Sequence, residues 1–135
     1  MSYLRGRLRL GMLGLAGVLA LAAPVFAFAL PDLQVLSKLE RGRWQLRSSE
    51  GPERSICIGD PAVLVQLEHQ GVSCGHEILA NEAAATTVQY TCSGRGFGHT
   101  RIRLETPRLA RIETQGLADG RPFSYRVEAR KVGSC

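Results

Sequence analysis

The side chains best suited to chemistry in this sequence are four cysteines, three histidines and one glycine-rich segment. Cys57, Cys74, Cys92 and Cys135 can hold a metal as thiolates or close two disulfides. Cys74-Gly75-His76 sets two ligand types side by side, so a metal centre would have to gather Cys74, His76, Cys92 and His99. Zinc–thiolate sites favour Cys-x2–4-Cys pairs, and the sequence has none. The even cysteine count reads instead as two disulfides, with no metal and no cofactor expected. His69, His76 and His99 then read as surface or loop histidines. Ser93, His99 and Asp119 supply the residue types of a hydrolytic triad, but no Gly-x-Ser-x-Gly elbow accompanies them. Glu105 and Glu113, the carboxylates a glycosidase would need, fall on the charged faces of alternating runs. The chain reads as a non-enzyme, with a hydrolase ranked behind two binding readings.

Gly94-Arg95-Gly96-Phe97-Gly98-His99 is the candidate loop site, carried by Arg95, Phe97 and His99. Glycines there could let backbone N–H groups converge on an anion, with Arg95 adding charge. It is not a P-loop, because the Gly-Lys-Ser/Thr ending is missing. The simpler reading, which we favour, is a hairpin with a glycine bulge and Phe97 folded onto the sheet edge.

The elements that would position these residues alternate with a period of two. Trp44 and Leu46 alternate with Arg43, Gln45 and Arg47; Val88, Tyr90 and Cys92 with Thr87, Gln89 and Thr91. Ile102 and Leu104 lie between Arg101, Arg103 and Glu105, and Phe123, Tyr125, Val127 and Ala129 alternate with Ser124, Arg126, Glu128 and Arg130. One apolar and one charged face per run means antiparallel sheet, wet on one side. Turn residues at 94–96, 106–107 and 118–120 separate the runs, so the chain reads as a meander curling into a small barrel or half-barrel. The exception is 61–70. Asp60 as N-cap, Pro61 at the first position and Gly71 after the end predict one short helix that could plug the sheet. A weaker helical stretch covers 33–40.

The cysteine pairing follows from these elements. Asn81-Glu82-Ala83-Ala84 is a turn, and position 83 is the midpoint of 74 and 92. A hairpin folded there sets Cys74 opposite Cys92, within disulfide range. Cys57–Cys135 follows by elimination. The competing map joins Cys57 to Cys74 and Cys92 to Cys135.

The N-terminus explains why disulfides are expected at all. Arg5, Arg7 and Arg9 precede an apolar run from Leu10 to Ala23, then Pro24 and the small-residue site Ala27-Phe28-Ala29. This predicts a signal peptide over 1–29, cut after Ala29, and one periplasmic or secreted β domain over 30–135. The rival is an uncleaved anchor, since Leu10–Leu30 spans 21 residues. Membrane contact is expected only in that case. Without the three signal arginines, the remainder carries 14 Lys and Arg against 12 Asp and Glu, a net of +2. That balance excludes nucleic acid as a partner recognised by bulk charge. A domain of 106 residues also excludes a TIM barrel or a full dinucleotide fold.

Taken in order, Gly42-Arg43-Trp44, Cys57, Cys74, Tyr90-Thr91-Cys92 and the terminal Arg130-Lys131-Val132-Gly133-Ser134-Cys135 form a pattern. It resembles the small exported proteobacterial proteins grouped as the domain of unknown function 3617 family, over residues 40–135. Tyr90 stands where that family more often has tryptophan, and the Met/Pro-rich stretch before the first cysteine is missing. The resemblance implies compartment and scaffold and assigns no activity. Two function classes follow. The first is a non-catalytic exported domain binding a small apolar ligand or an envelope component. The second is an inhibitor or partner-binding protein, since Tyr90-Thr91-Cys92-Ser93-Gly94 is similar to a strand end of small β-barrels that inhibit lysozyme. Against the second, a +2 domain lacks the acidic surface that would steer it to a basic lysozyme. An open apolar cavity favours the first class; a filled core with a protruding loop favours the second.

Overall fold

A computed structural model describes residues 32–135, so the expected signal peptide, its cleavage site and the anchor alternative lie outside the described residues. Seven antiparallel strands follow a single helical turn, α1 (Gln34–Ser37): β1 (Gly42–Ser48), β2 (Arg54–Ile58), β3 (Cys74–Asn81), β4 (Ala85–Cys92), β5 (Gly96–Thr106), β6 (Leu109–Ala118) and β7 (Arg121–Gly133). They form one sheet in the order β2-β1-β7-β6-β5-β4-β3. From β3 to β7 this is the expected meander. The β1–β2 hairpin then docks on β7, so the first strand lies beside the last. The sheet is not closed, and β2 and β3 are its two edges.

Alternation sets the faces as the sequence implies. Trp44, Leu46, Val88, Tyr90, Ile102 and Ile112 are all at most 1% exposed and point to one inner face. Burying each such side chain stabilises the fold by about 1.5–3 kcal/mol. Thr100 and Thr114, directly opposed on β5 and β6, satisfy each other there with a 2.8 Å hydroxyl–hydroxyl hydrogen bond. The indole N–H of Trp44 donates to the Glu40 carbonyl at 3.0 Å. Residues 33–40 form only one helical turn, yet Leu33, Val35, Leu36 and Leu39 are all buried in the same core.

The segment 59–73 links the two edge strands and differs from the expected helix. Asp60 does cap it, accepting from the Ala62 N–H at 2.9 Å, with Pro61 at the first position. However, it forms two short 3₁₀ turns, Pro61–Leu64 and Leu67–His69, broken at Gln66 (φ −126°, ψ 55°). Two causes act together. Val63 and Val65 are β-branched and weak helix formers. The Gln66 amide also donates to the carbonyls of His69 (2.8 Å) and Val72 (2.9 Å), closing the bend through a side chain. This break lets Leu64, Val65 and Leu67 all join the core.

Both disulfides match the hairpin-based map. Cys74 and Cys92 are direct partners in the β3–β4 register, with Cα atoms 4.2 Å apart. Cys57 bonds Cys135 at a Cα separation of 5.8 Å, tying β2 to the residues after β7. The β6–β7 turn has Asp119 and Gly120 at φ 49° and 80°, the left-handed pair that a two-residue hairpin requires.

Candidate functional site

The two faces of the sheet carry different chemistry. On the inner side, a cleft of about 480 Å³ opens between β1, the start of β7 and the second 3₁₀ turn. Leu46, Pro52, Pro122, Phe123 and Val127 give it an apolar lining, and Arg54, Glu68 and Tyr125 form its polar wall. Register explains the apolar side: Leu46 faces Ala129 across β1 and β7, and Ser48 faces Val127.

The polar wall joins three distant parts of the chain. The Tyr125 hydroxyl donates to Glu68 Oε1 at 2.5 Å and accepts from Arg54 Nη2 at 3.1 Å. Arg54 Nη1 lies 3.3 Å from Glu68 Oε1, and its guanidinium sits 5.6 Å from the Tyr125 ring centre. Burial and the hydrogen bond to Glu68 push the Tyr125 phenol above its ordinary range, with the charge of Arg54 opposing them. Burial alone would lower the Arg54 pKa; the hydrogen bond to Tyr125 and the charge of Glu68 outweigh it and raise the value. Both groups keep their usual forms, a neutral phenol and a cation. The wall can therefore orient a polar head group.

A second polar cluster lies under the 3₁₀ segment. The Arg95 carbonyl can only accept, so His69 donates to it from Nε2 at 3.1 Å, and Nδ1 accepts from the Tyr90 hydroxyl at 3.2 Å. Burial and the charge of Glu68 push the Tyr90 phenol up to about 12. His76 donates from Nε2 to Gln66 Oε1 at 2.9 Å, and burial lowers its pKa. Gln66, Glu68 and His69 thus fasten one segment to β3, to β2 and β7, and to β4 and the β4–β5 turn. His69 is 3% exposed, a satisfied core histidine where the sequence led us to expect a surface or loop one. The polar partners inside made that burial possible.

The expected loop site is divided. Arg95 sits in the β4–β5 turn and grips Asp119 with two hydrogen bonds, 2.6 and 3.1 Å, in an exposed ion pair. Phe97 and His99 lie on the outer face of β5. Phe97 is not at the sheet edge, because β5 is an inner strand pairing Phe97 with Thr91 on one side and Leu117 on the other. It remains 48% exposed because the outer face has nothing packed on it there. Gly98 serves the inside: a Cβ there would overlap the Tyr90 ring. His99 lines a polar recess of about 490 Å³ with Arg101, Glu113 and Arg126.

The other combinations of reactive residues are not assembled. Cys74 and Cys92 are bonded to each other, His76 is on the inner face and His99 on the outer. Among the described residues no group of three metal-ligating side chains comes together. Ser93 lies in the β4–β5 turn, Asp119 is held by Arg95, and His99 is three residues along the strand from Gly96. Glu113 pairs with Arg126 and Glu105 with Arg111 on the outer face.

No sequence pattern points to the Arg54–Tyr125–Glu68 wall. Tyr125 read as core, Glu68 as part of a helix, and Arg54 fell between runs. Their separations of 14, 57 and 71 residues leave no local pattern to find. No protein-family model, curated protein or solved structure matches the chain.

Proposed function

We propose that this protein is a non-catalytic exported domain that binds a small, largely apolar ligand in the inner cleft. The observation that carries this reading is the cleft itself: about 480 Å³, with Leu46, Pro52, Pro122, Phe123 and Val127 as apolar lining and Arg54, Glu68 and Tyr125 as a polar wall. A ligand would lay its apolar body against Leu46, Phe123 and Val127 and turn a polar head toward Arg54. Export is supported by the two disulfides, which persist in oxidising compartments, and by the basic-then-apolar N-terminal pattern. No helix among the described residues is long and apolar enough to cross a membrane. The likeness to the domain of unknown function 3617 family agrees with that compartment and scaffold. The open cleft favours a ligand over a protein partner as the occupant.

The test is a fluorescence titration with 1-anilinonaphthalene-8-sulfonate, an apolar ring system bearing one anionic group. Ser48→Trp would place an indole in the cleft mouth without touching the sheet hydrogen bonds. Wild type should bind saturably, and the Ser48 variant should lose at least about tenfold in affinity, about 1.4 kcal/mol, with unchanged circular dichroism. Equal titrations for the two proteins would refute cleft binding.

A further inference from the structure

The outer face of the sheet holds an arrangement that neither the inner cleft nor the fold requires. Arg103 on β5 and Arg111 on β6 are directly opposed in the register, and Arg101 is the next residue on the same face of β5. Directly opposed residues have Cα atoms only about 4.5–5.5 Å apart, so two like charges there destabilise the sheet. The neighbouring carboxylates relieve this only at Arg111. Glu128, opposite Arg111 on β7, pairs with Arg130 at 3.3 Å. Glu105 pairs with Arg111 at 3.2 Å, and Glu113, the cross-strand partner of Arg101, turns to Arg126 at 3.4 Å. Arg101 and Arg103 make no ion pair among the described residues. Arg101, Arg103, Arg111 and Glu113 instead line one recess of about 100 Å³.

The charge count points the same way. On the outer face of β5 and β6, three guanidinium groups (Arg101, Arg103, Arg111) stand against two carboxylates (Glu105, Glu113), an excess of +1. Residues 32–135 as a whole carry 14 Lys and Arg against 12 Asp and Glu, a net of +2. The outer face of these two central strands therefore carries half of the domain's excess charge.

We propose that the Arg101–Arg103–Arg111 recess binds a phosphate monoester group. Such a group carries a charge of about −1.5 to −2 and three acceptor oxygens. It can take donors from three guanidinium groups at once, whereas a carboxylate offers two oxygens in one plane. Its negative charge offsets the local excess and relieves the Arg103–Arg111 repulsion. The group could be free or carried on a lipid head group, and the chemistry of recognition is the same.

Two probes separate those sources: inorganic phosphate followed by calorimetry, and sedimentation with phosphatidylcholine vesicles made with and without phosphatidic acid. Arg103→Gln removes one arm of the recess. Arg121→Gln removes an equal charge at the far end of β7, beside the β6–β7 turn. Both side chains are exposed, so neither change threatens the fold. We expect Arg103→Gln to weaken binding at least about tenfold and Arg121→Gln less than about twofold. Binding to inorganic phosphate supports the site for a free ligand; binding only to phosphatidic acid vesicles supports it for a lipid head group. No binding to either probe, or equal losses in the two variants, overturns the proposal.

Discussion

Gly98 shows how a single residue couples the outer glycine-rich segment to the inner core. It lies opposite Tyr90 in the β4–β5 register, and the Tyr90 ring occupies the space a side chain would need. Gly98→Ala should therefore destabilise the protein by about 1–3 kcal/mol, the range for overpacking a filled core. Chemical denaturation measures this directly; an unchanged midpoint would mean that Tyr90 packs elsewhere. His76 carries a pH dependence. Burial lowers its pKa below the ordinary 6.5, so the unfolded chain binds the proton more readily than the folded one. The stability linked to neutral His76 is then present above pH 6.5 and lost as pH falls through the folded value. Denaturation midpoints should drop on acidification below that point, and His76→Gln should flatten the drop. An identical pH profile in the variant would show that another group titrates.

Among the elements, the strands were legible in the sequence and the cap was not. Alternation placed Trp44, Leu46, Ile102 and Val127 on the inner face because a half-buried antiparallel strand imposes a period of two. Hairpin symmetry about position 83 identified the Cys74–Cys92 pair for the same reason, since register in a hairpin is local. The 61–70 segment carried true helix-start residues, yet its course depends on Gln66 donating to two carbonyls, which no propensity encodes. The docking of β1 on β7 and the Arg54–Tyr125–Glu68 wall are contacts between distant segments and leave no local trace. The contrast between strand interior and turn can be measured. Trp44→Ala should cost about 3–5 kcal/mol, because the indole is fully buried. Arg95→Ala should stay within about 0.5 kcal/mol, since its partner Asp119 is exposed and solvent screens the pair. A reversed order in urea denaturation would contradict these assignments.

At the scale of the whole molecule, an open sheet separates two chemistries. Its inner side is apolar, with a polar wall contributed by β2, β7 and the 3₁₀ segment; its outer side is polar and locally basic. The Cys57–Cys135 bridge joins the β2 edge to the chain end, and Cys74–Cys92 clamps the β3 edge, so each edge is held covalently. Amide chemical-shift mapping by NMR with decanoate, an alkyl chain bearing one anionic head, tests the central claim most directly. Shifts confined to Leu46, Ser48, Arg54, Glu68, Phe123, Tyr125 and Val127 are the expected result. Shifts confined to the outer face around Arg101 and Arg103, or none at all, would contradict a ligand-binding inner cleft.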